Sequence, residues 1–228
     1  MRCFVFLLIF CCFSCSNERV LQLPEIENAK ITEVLDVSPA YIFYDETQPD
    51  STLLNRKNLI STTNWLVNVD KRLTLRQAIP HIKFLQDKKR NAELHKNENA
   101  KNYFTCNDMS IGDLGFMEFT DVYYIIEIDS YTNDEPINNE IRSLSIHFFS
   151  NGYFSLTELF DGKQSRSEIL NINTDFDIDF FKIYRENKNS LHLSFDEKLR
   201  FQDYIKLKNN VLLFTNEMSE IDANEFIY

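Results

Sequence analysis

Acidic and apolar residues alternate near position 180, and their spacing suggests one kind of chemistry. Four acidic side chains match the first, third, fifth and twelfth positions of an EF-hand calcium loop: Asp175, Asp177, Asp179 and Glu186. The sixth position, where glycine normally makes the sharp turn, is Phe180. A strand that points its aspartates to water and Phe176 and Ile178 to the core explains the same alternation. We favour the strand and keep calcium as the alternative.

Other residue types capable of chemistry form no recognisable motif. The four histidines are far apart in the sequence: His81, His95, His147 and His192. Cys106 is the only cysteine after Cys15, and its neighbours lack the cationic side chains that activate a thiolate, so we predict a small buried hydrophobe. The sequence contains no HExxH, GxSxG, P-loop or GxGxxG motif and only four glycines. It therefore predicts no catalytic residue and no cofactor.

Composition and charge define the class of protein. The 228 residues include 24 Lys plus Arg and 35 Asp plus Glu, which gives a formal net charge of −11. Hydrophobic residues make up 43% of the chain, with 20 Phe and 10 Tyr, so a folded core is expected rather than disorder. The acidic balance argues against a nucleic-acid partner, because binding to phosphates requires a Lys- and Arg-rich surface.

The first fifteen residues have the layout of an export signal. Arg2 is followed by an apolar run, residues 3–13, which is shorter than the roughly 20 residues needed to span a membrane. Cys15 comes directly after Ser14, where the run stops, and this arrangement resembles the lipobox of bacterial lipoproteins. The resemblance implies that Cys15 is acylated and becomes the first residue of the mature protein. An ordinary secretory signal cleaved near Ser14 or Ser16 and an uncleaved anchor are the alternatives.

The chain is accordingly divided into segments by sequence alone. The predicted segments are a signal peptide (1–14), a lipidated tether (15–30), an α+β N-terminal region (31–115) and an antiparallel β-meander region (116–228). The last two could form one continuous domain, 31–228. The predicted location is a bacterial membrane, to which lipid on Cys15 would anchor the exported chain. The outer membrane is favoured over the inner one, with the domain facing the periplasm or the cell surface.

Local patterns predict a strand and one main helix in the N-terminal half. Alternate residues in the stretch 64–70 are apolar, which predicts a half-buried strand. Thr74 and Gln77 have capping-box spacing and are followed by apolar residues at helical intervals, so we predict a helix near residues 75–97. Pro80 is an alternative start for this helix, because proline fits best in a first turn.

Turn signals divide the C-terminal half into short strands. Four turns are expected to close hairpins: Asn151-Gly152, Asp161-Gly162, residues 186–190 and Asn209-Asn210. Strands are predicted between them, including 201–208 and 211–215 on either side of the last turn. The predicted fold class is therefore α+β and mainly β. It combines the N-terminal helix with an antiparallel β-meander, a lipocalin-like sheet or open barrel, in the C-terminal half.

Two stretches resemble known families. Residues 141–216, with IHFFSNG, FKIY, LHLSF and YIKLKNNVLLF among their strands and turns, look like uncharacterised bacterial lipoproteins with a lipocalin-like β-meander. That resemblance implies a fold and assigns no functional residue. Residues 41–90, with a strand, a turn and a helix in NWLVNVDKRLTLRQAIPHIKFLQDKK, resemble the periplasmic domain of the small energy-transducing proteins that serve outer-membrane transporters. Those proteins carry a full transmembrane helix, whereas the apolar run of this sequence is shorter.

The predicted function is that of a non-enzymatic binding or interaction module in the cell envelope. Its expected partners are the membrane, through lipid on Cys15, and an envelope protein. A lipocalin-like carrier of a small apolar ligand is the main alternative, because aromatic residues on strands could line a cavity as well as fill a core. A hydrolase that uses some of the many carboxylates is a further alternative.

Overall fold

The part of the chain that the structure describes is mainly β, with two mixed sheets and two longer helices. The computed structural model describes residues 19–92, 97–126, 143–160, 163–175, 190–214 and 221–228. The predicted mainly β class is confirmed, as is a helix in the N-terminal half. The signal peptide and Cys15 lie outside the described residues.

The first sheet contains six strands. They are β1 (Glu25–Ile26), β2 (Val37–Tyr44), β3 (Thr52–Asn55), β4 (Asn64–Val69), β5 (Asn102–Asp108) and β6 (Asp113–Glu118). Hydrogen bonds join them in the order β1-β5-β4-β2-β3, with β6 also paired to β5. Strands β2, β4, β5 and β1 run parallel, whereas β3 and β6 are antiparallel to their neighbours. The strand predicted at 64–70 is confirmed as β4.

The main helix, α1, spans Leu75–Arg90 and connects β4 to β5. Its capping box is confirmed: the Gln77 N–H donates to the Thr74 hydroxyl, and the Thr74 N–H donates to the Gln77 side chain. The helix ends before the predicted residue 97, because Asn91 leaves the helical conformation as its C-cap. The start proposed at the internal proline is also wrong. The buried face follows the predicted helical intervals: Leu75, Ala78, Ile79, Ile82, Leu85, Gln86 and Lys89.

Lys89 is a buried charge near the end of α1. Its ammonium donates to the Lys101 carbonyl at 2.9 Å, to Asn102 Oδ1 at 3.1 Å and to the Thr63 carbonyl at 3.3 Å, and it lies 5.0 Å from the centre of the Trp65 ring. Burial lowers its pKa to about 8. Lys89 therefore ties the end of the helix to the starts of β4 and β5.

The shifted pKa of Lys89 predicts how stability depends on pH. Because the folded pKa of about 8 lies below the usual 10.5, the unfolded chain binds more protons between these pH values. The free energy of unfolding of the wild type, relative to Lys89→Met, should therefore rise from pH 8 to pH 10.5 and stay level below pH 8. Urea titrations over this range measure the difference. The exposed Lys88→Met is the control. The prediction would be contradicted if the stability difference between the wild type and the variant changed equally with pH for Lys89→Met and Lys88→Met.

Within the described ranges, the second sheet also contains six strands. They are β7 (Tyr123–Ile125), β8 (Ser143–Phe148), β9 (Tyr153–Phe160), β10 (Lys163–Asn171), β11 (Ser190–Phe195) and β12 (Ile221–Ile227), in the order β10-β9-β8-β11-β12-β7. A short helix, α2 (Ile172–Asp175), follows β10, and a longer one, α3 (Phe201–Phe214), lies between β11 and β12 in the chain.

The predicted antiparallel meander is not confirmed, because the second sheet is mixed. Strands β8, β9 and β10 are antiparallel, and the predicted turn at Asn151-Gly152 does join β8 to β9. Strands β8, β11, β12 and β7 run parallel. Asp161-Gly162 and all of the predicted turn 186–190 except Ser190 lie outside the described residues.

The strands predicted at 201–208 and 211–215 are wrong, because this stretch forms the helix α3. Its most deeply buried residues follow a helical interval rather than an alternating one, namely Phe201, Tyr204, Ile205 and Val211, and Leu207, Lys208 and Asn209 beside them are also buried. Asn209-Asn210, predicted as a turn, lies inside the helix, and the Asn209 side chain donates to the Glu27 carbonyl.

The two sheets repeat one arrangement of four strands and a helix. In the first sheet the neighbouring strands are, in order, β3, β2, β4 and β5, and α1 connects β4 to β5. The second sheet has the same order and the same strand directions in β9, β8, β11 and β12, and α3 connects β11 to β12. From β4 into α1, the residues correspond to those of β11 and α3 at a constant offset of 190 − 64 = 126 residues, from Asn64 to Ser190. The same offset pairs Asp70 with Asp196 and Leu73 with Leu199.

We call β1–β6 with α1 the first half and β7–β12 with α3 the second half. Equivalent residues of the two halves also contact each other reciprocally. The Leu75 N–H donates to the Leu199 carbonyl at 2.9 Å, and the Phe201 N–H donates to the Leu73 carbonyl at 2.7 Å. By the offset of 126, Leu75 corresponds to Phe201 and Leu73 to Leu199. Such reciprocity is the signature of a two-fold relation, so the halves pack as two copies of one unit would.

Candidate functional site

A cavity of about 280 Å³ lies between α3, β12 and the segment 118–122, which connects β6 to β7. Its walls are mostly apolar: Phe119, Val122, Leu193, Val211, Leu212, Ile221 and Ala223. Five ionisable side chains also border it: Glu118, Asp121, Lys208, Asp222 and Glu225. Apolar walls with a few placed polar groups are typical of small-molecule sites, whose volumes begin at roughly 300 Å³.

A buried ion pair, Lys208 with Glu225, forms the least exposed polar part of the cavity wall. Their side chains are 5% and 2% exposed, and the ammonium donates to Glu225 Oε1. The Tyr204 hydroxyl donates to Glu225 Oε2 at 2.7 Å, and Lys208 lies 3.4 Å from the same hydroxyl. Tyr124 and Tyr204 are joined through their hydroxyls at 3.0 Å. Because Tyr204 gives its only proton to Glu225, Tyr124 is the donor in that contact.

The two tyrosines of this network are proton donors at neutral pH. Burial, reinforced by the charge of Glu225, raises the pKa of both Tyr124 and Tyr204 well above the usual value. The network therefore holds one positive charge, one negative charge and two neutral phenols in the protein interior. A buried ion pair adds little stability over apolar residues of the same size, so stability alone does not explain it.

The first half of the chain shows that the fold does not require a charge at the position of Glu225. Val67 on β4 is opposite Phe104 on β5, and Leu193 on β11 is opposite Glu225 on β12. Val67 and Leu193 correspond by the offset of 126, so Phe104 and Glu225 occupy equivalent places. Phe104 is fully buried in its half.

The helices show the same contrast. Tyr204 and Lys208 on α3 correspond to Ala78 and Ile82 on α1, both of which are fully buried. The first half thus packs three apolar side chains between helix and sheet where the second half has a tyrosine, a lysine and a glutamate. The polar cluster is an addition to an arrangement that folds without it, and it borders the cavity.

The segment 118–122 forms one wall of the cavity and is attached to α1. The Gln86 side chain donates to the Phe119 and Val122 carbonyls, both at 3.0 Å. Arg90 donates to the Thr120 carbonyl at 2.9 Å and to the Val122 carbonyl at 2.8 Å. The first half therefore fixes the backbone of a wall of the site in the second half.

The predicted calcium ligands are not brought together within the described residues. Asp175 is the last residue of α2, and Asp177, Asp179 and Glu186 lie outside the described ranges. In the part of the chain that the structure describes, no group of three or more His, Cys, Asp or Glu side chains could hold a metal ion. The calcium site therefore stays a prediction, as does lipidation of Cys15.

The other residues considered from the sequence have separate environments. Cys106 is fully buried, and burial raises the pKa of its thiol to about 12, so its prediction as a buried hydrophobe is confirmed. His147 and His192 lie on the neighbouring strands β8 and β11. They do not bind each other: His147 contacts Ser194, and His192 contacts Asp222. The sequence pattern did not reveal the Lys208–Glu225 pair.

Fold and site together define a mainly β protein with two mixed sheets and a buried ion pair beside a small, mostly apolar cavity. Comparison with protein-family models, curated proteins and solved structures finds no match to this chain. In the described ranges, none of the helices has the length and apolar character needed to cross a membrane.

Proposed function

We propose that this protein is a lipid-anchored binding module of the bacterial cell envelope, and that its ligand occupies the cavity beside Lys208 and Glu225. The proposed ligand site rests on one observation: this ion pair stands where the first half has buried apolar residues. The signal-like residues 1–14 and Cys15 support the anchor. The proposal needs no closed lipocalin-like barrel, because the cavity lies between a helix, a strand and a connecting segment.

The cavity favours a small, mostly apolar ligand with one neutral polar headgroup. The Lys208 ammonium can donate a hydrogen bond to such a headgroup, and the Glu225 carboxylate can accept one. Glu118, Asp121 and Asp222 add negative charge around the cavity, which disfavours an anion. An amide or an alcohol on a short apolar chain satisfies both requirements.

Binding can be tested with three probes that share one chain length: pentanamide, pentan-1-ol and pentanoate. We expect pentanamide and pentan-1-ol to bind and pentanoate to bind more weakly, as measured by amide chemical-shift changes in NMR. The variant Lys208→Ile with Glu225→Phe, which carries two of the three corresponding residues of the first half, should lose binding and keep its fold. Lys206→Ala, an exposed change on α3, should bind as the wild type does. Equal binding by all three proteins would contradict the proposed site.

The anchor is tested separately at the amino terminus. Mass spectrometry of the protein isolated from bacterial membranes should find Cys15 as the acylated first residue. Cys15→Ala should leave an unacylated chain that no longer fractionates with membranes. An unmodified Cys15 in a soluble mature chain would contradict lipid anchoring and would leave the cavity proposal unaffected.

A further inference from the structure

Ser190, His192 and Asp222 form a chain of contacts on the second sheet. The His192 Nδ1 atom lies 2.7 Å from Asp222 Oδ2, and its Nε2 atom lies 3.3 Å from the Ser190 hydroxyl. All three side chains are partly exposed to solvent. Asp222 is itself held by the Asn224 N–H at 2.9 Å and by the Asn224 side-chain amide at 3.1 Å, both on Oδ1.

The contacts fix which nitrogen of His192 carries its proton. Hydrogen bonds, first of all that from His192, lower the pKa of Asp222, so its carboxylate is ionised and can only accept. The His192 Nδ1 atom must therefore donate, and in the neutral ring Nε2 is left as an acceptor. The Ser190 hydroxyl then donates to Nε2. The order nucleophile, base and orienting carboxylate is that of a serine hydrolase triad.

In a second serine–histidine pair on the same sheet, the hydrogen bond runs in the opposite direction, from histidine to serine. The Ser194 hydroxyl donates to the Ile146 carbonyl at 3.3 Å, so in its 3.0 Å contact with His147 Nδ1 it accepts. Ser194 is also buried, at 5% exposure. It is therefore a structural serine, and the contrast separates Ser190 from an ordinary strand hydroxyl.

We propose that Ser190 is the nucleophile of an esterase site, with His192 as its general base and Asp222 as the residue that positions His192. The substrate class is a carboxylic ester that approaches from solvent, because all three side chains are partly exposed. Ser190 Oγ bonds to the carbonyl carbon while its proton passes to His192 Nε2. The bond to the alcohol oxygen breaks, and that oxygen takes the proton from His192. A water molecule then gives a proton to His192 and attacks the carbonyl carbon of the acyl-serine. The bond to Ser190 Oγ breaks and Oγ takes the proton back, which releases the carboxylic acid and restores Ser190.

The test uses the full-length protein, p-nitrophenyl acetate as substrate and a fluorophosphonate as probe. We expect ester hydrolysis and a phosphonyl adduct on Ser190 in peptide mass spectrometry, formed as Ser190 Oγ displaces fluoride. Ser190→Ala should abolish the adduct and lower hydrolysis by about 100-fold or more. His192→Gln should lose both signals, and Asp222→Asn should lose most of each. Asp222→Glu, which keeps a carboxylate, should recover part of the loss.

Ser194→Ala is the matched control, because it removes a hydroxyl from the same strand. It should hydrolyse the ester and react with the probe as the wild type does. Circular dichroism checks that each variant is folded. No adduct on wild-type Ser190, or hydrolysis that survives in Ser190→Ala, would overturn the esterase site. Full activity of Asp222→Asn would overturn the positioning role of Asp222. None of these results depends on a ligand in the cavity.

Discussion

Replacing Lys208 by methionine should lower the free energy of unfolding by about 3–5 kcal/mol. The substitution leaves the Glu225 carboxylate buried without a counter-charge, and Tyr204 is then its remaining donor among the contacts described above. Urea unfolding followed by Trp65 fluorescence and by far-UV circular dichroism measures the loss. Trp65 is the only tryptophan and lies in the first half, whereas Lys208 lies in the second. Coincident transitions would show that the halves unfold as one cooperative unit.

The double variant Lys208→Met with Glu225→Leu separates the cost of an unpaired charge from the value of the pair. With no charge left, stability should return to within about 1–2 kcal/mol of the wild type. The remaining deficit reflects the Tyr204 hydroxyl, which loses its acceptor. Lys206→Met, an exposed change on α3, is the control and should cost little. A double variant no more stable than Lys208→Met would contradict the ion pair as the source of the loss.

Local signals predicted part of the fold correctly. Helix α1 has a capping box in its own sequence, Thr74 with Gln77, and a regular apolar interval, so its start needed no tertiary information. The hairpin at Asn151-Gly152 was found in the same way, and Gly152 does adopt a positive φ of 86°. Parallel pairing was missed because strands such as β8 and β11 are far apart in the sequence, and their register depends on the whole sheet.

The sequence predicts a hairpin where helix α3 forms, because two asparagines interrupt a stretch rich in Tyr, Ile and Leu. Its buried residues Tyr204, Lys208 and Val211 follow a helical interval, but lysine does not count as apolar and so breaks the pattern. The repeat at an offset of 126, which rests on the matching strand order and register of the two sheets, corrects this error. It aligns the stretch with α1, whose helical pattern is clear.

The candidate site could not be predicted from spacing alone. Lys208 and Glu225 lie on different elements and meet because of the register of β12 on β11. That register shifts between Leu191, opposite Ile221, and Leu193, opposite Glu225. A bulge of this kind has no clear mark in the sequence, yet it decides which side chain of β12 faces α3.

Phe104, the counterpart of Glu225 in the first half, should be as costly to remove as Lys208 but for a different reason. Its ring lies face to face with Phe119 at 3.8 Å and meets the edge of Phe201 at 5.2 Å, so it joins the halves. Phe104→Ala should lower the free energy of unfolding by about 3–5 kcal/mol through lost burial and a new cavity. Urea unfolding at neutral pH measures this change.

Phe84→Ala is the matched control, because Phe84 is 45% exposed and its ring contacts the Arg56 guanidinium at 5.0 Å. It should cost no more than about 1 kcal/mol. Phe119 borders the cavity, so Phe104→Ala should also loosen that wall and weaken pentanamide binding, whereas Phe84→Ala should not. Equal losses of stability in both variants would contradict the packing role of Phe104. If Phe104→Ala is the more costly variant, one structural position serves stability in the first half, through Phe104, and binding in the second half, through Glu225.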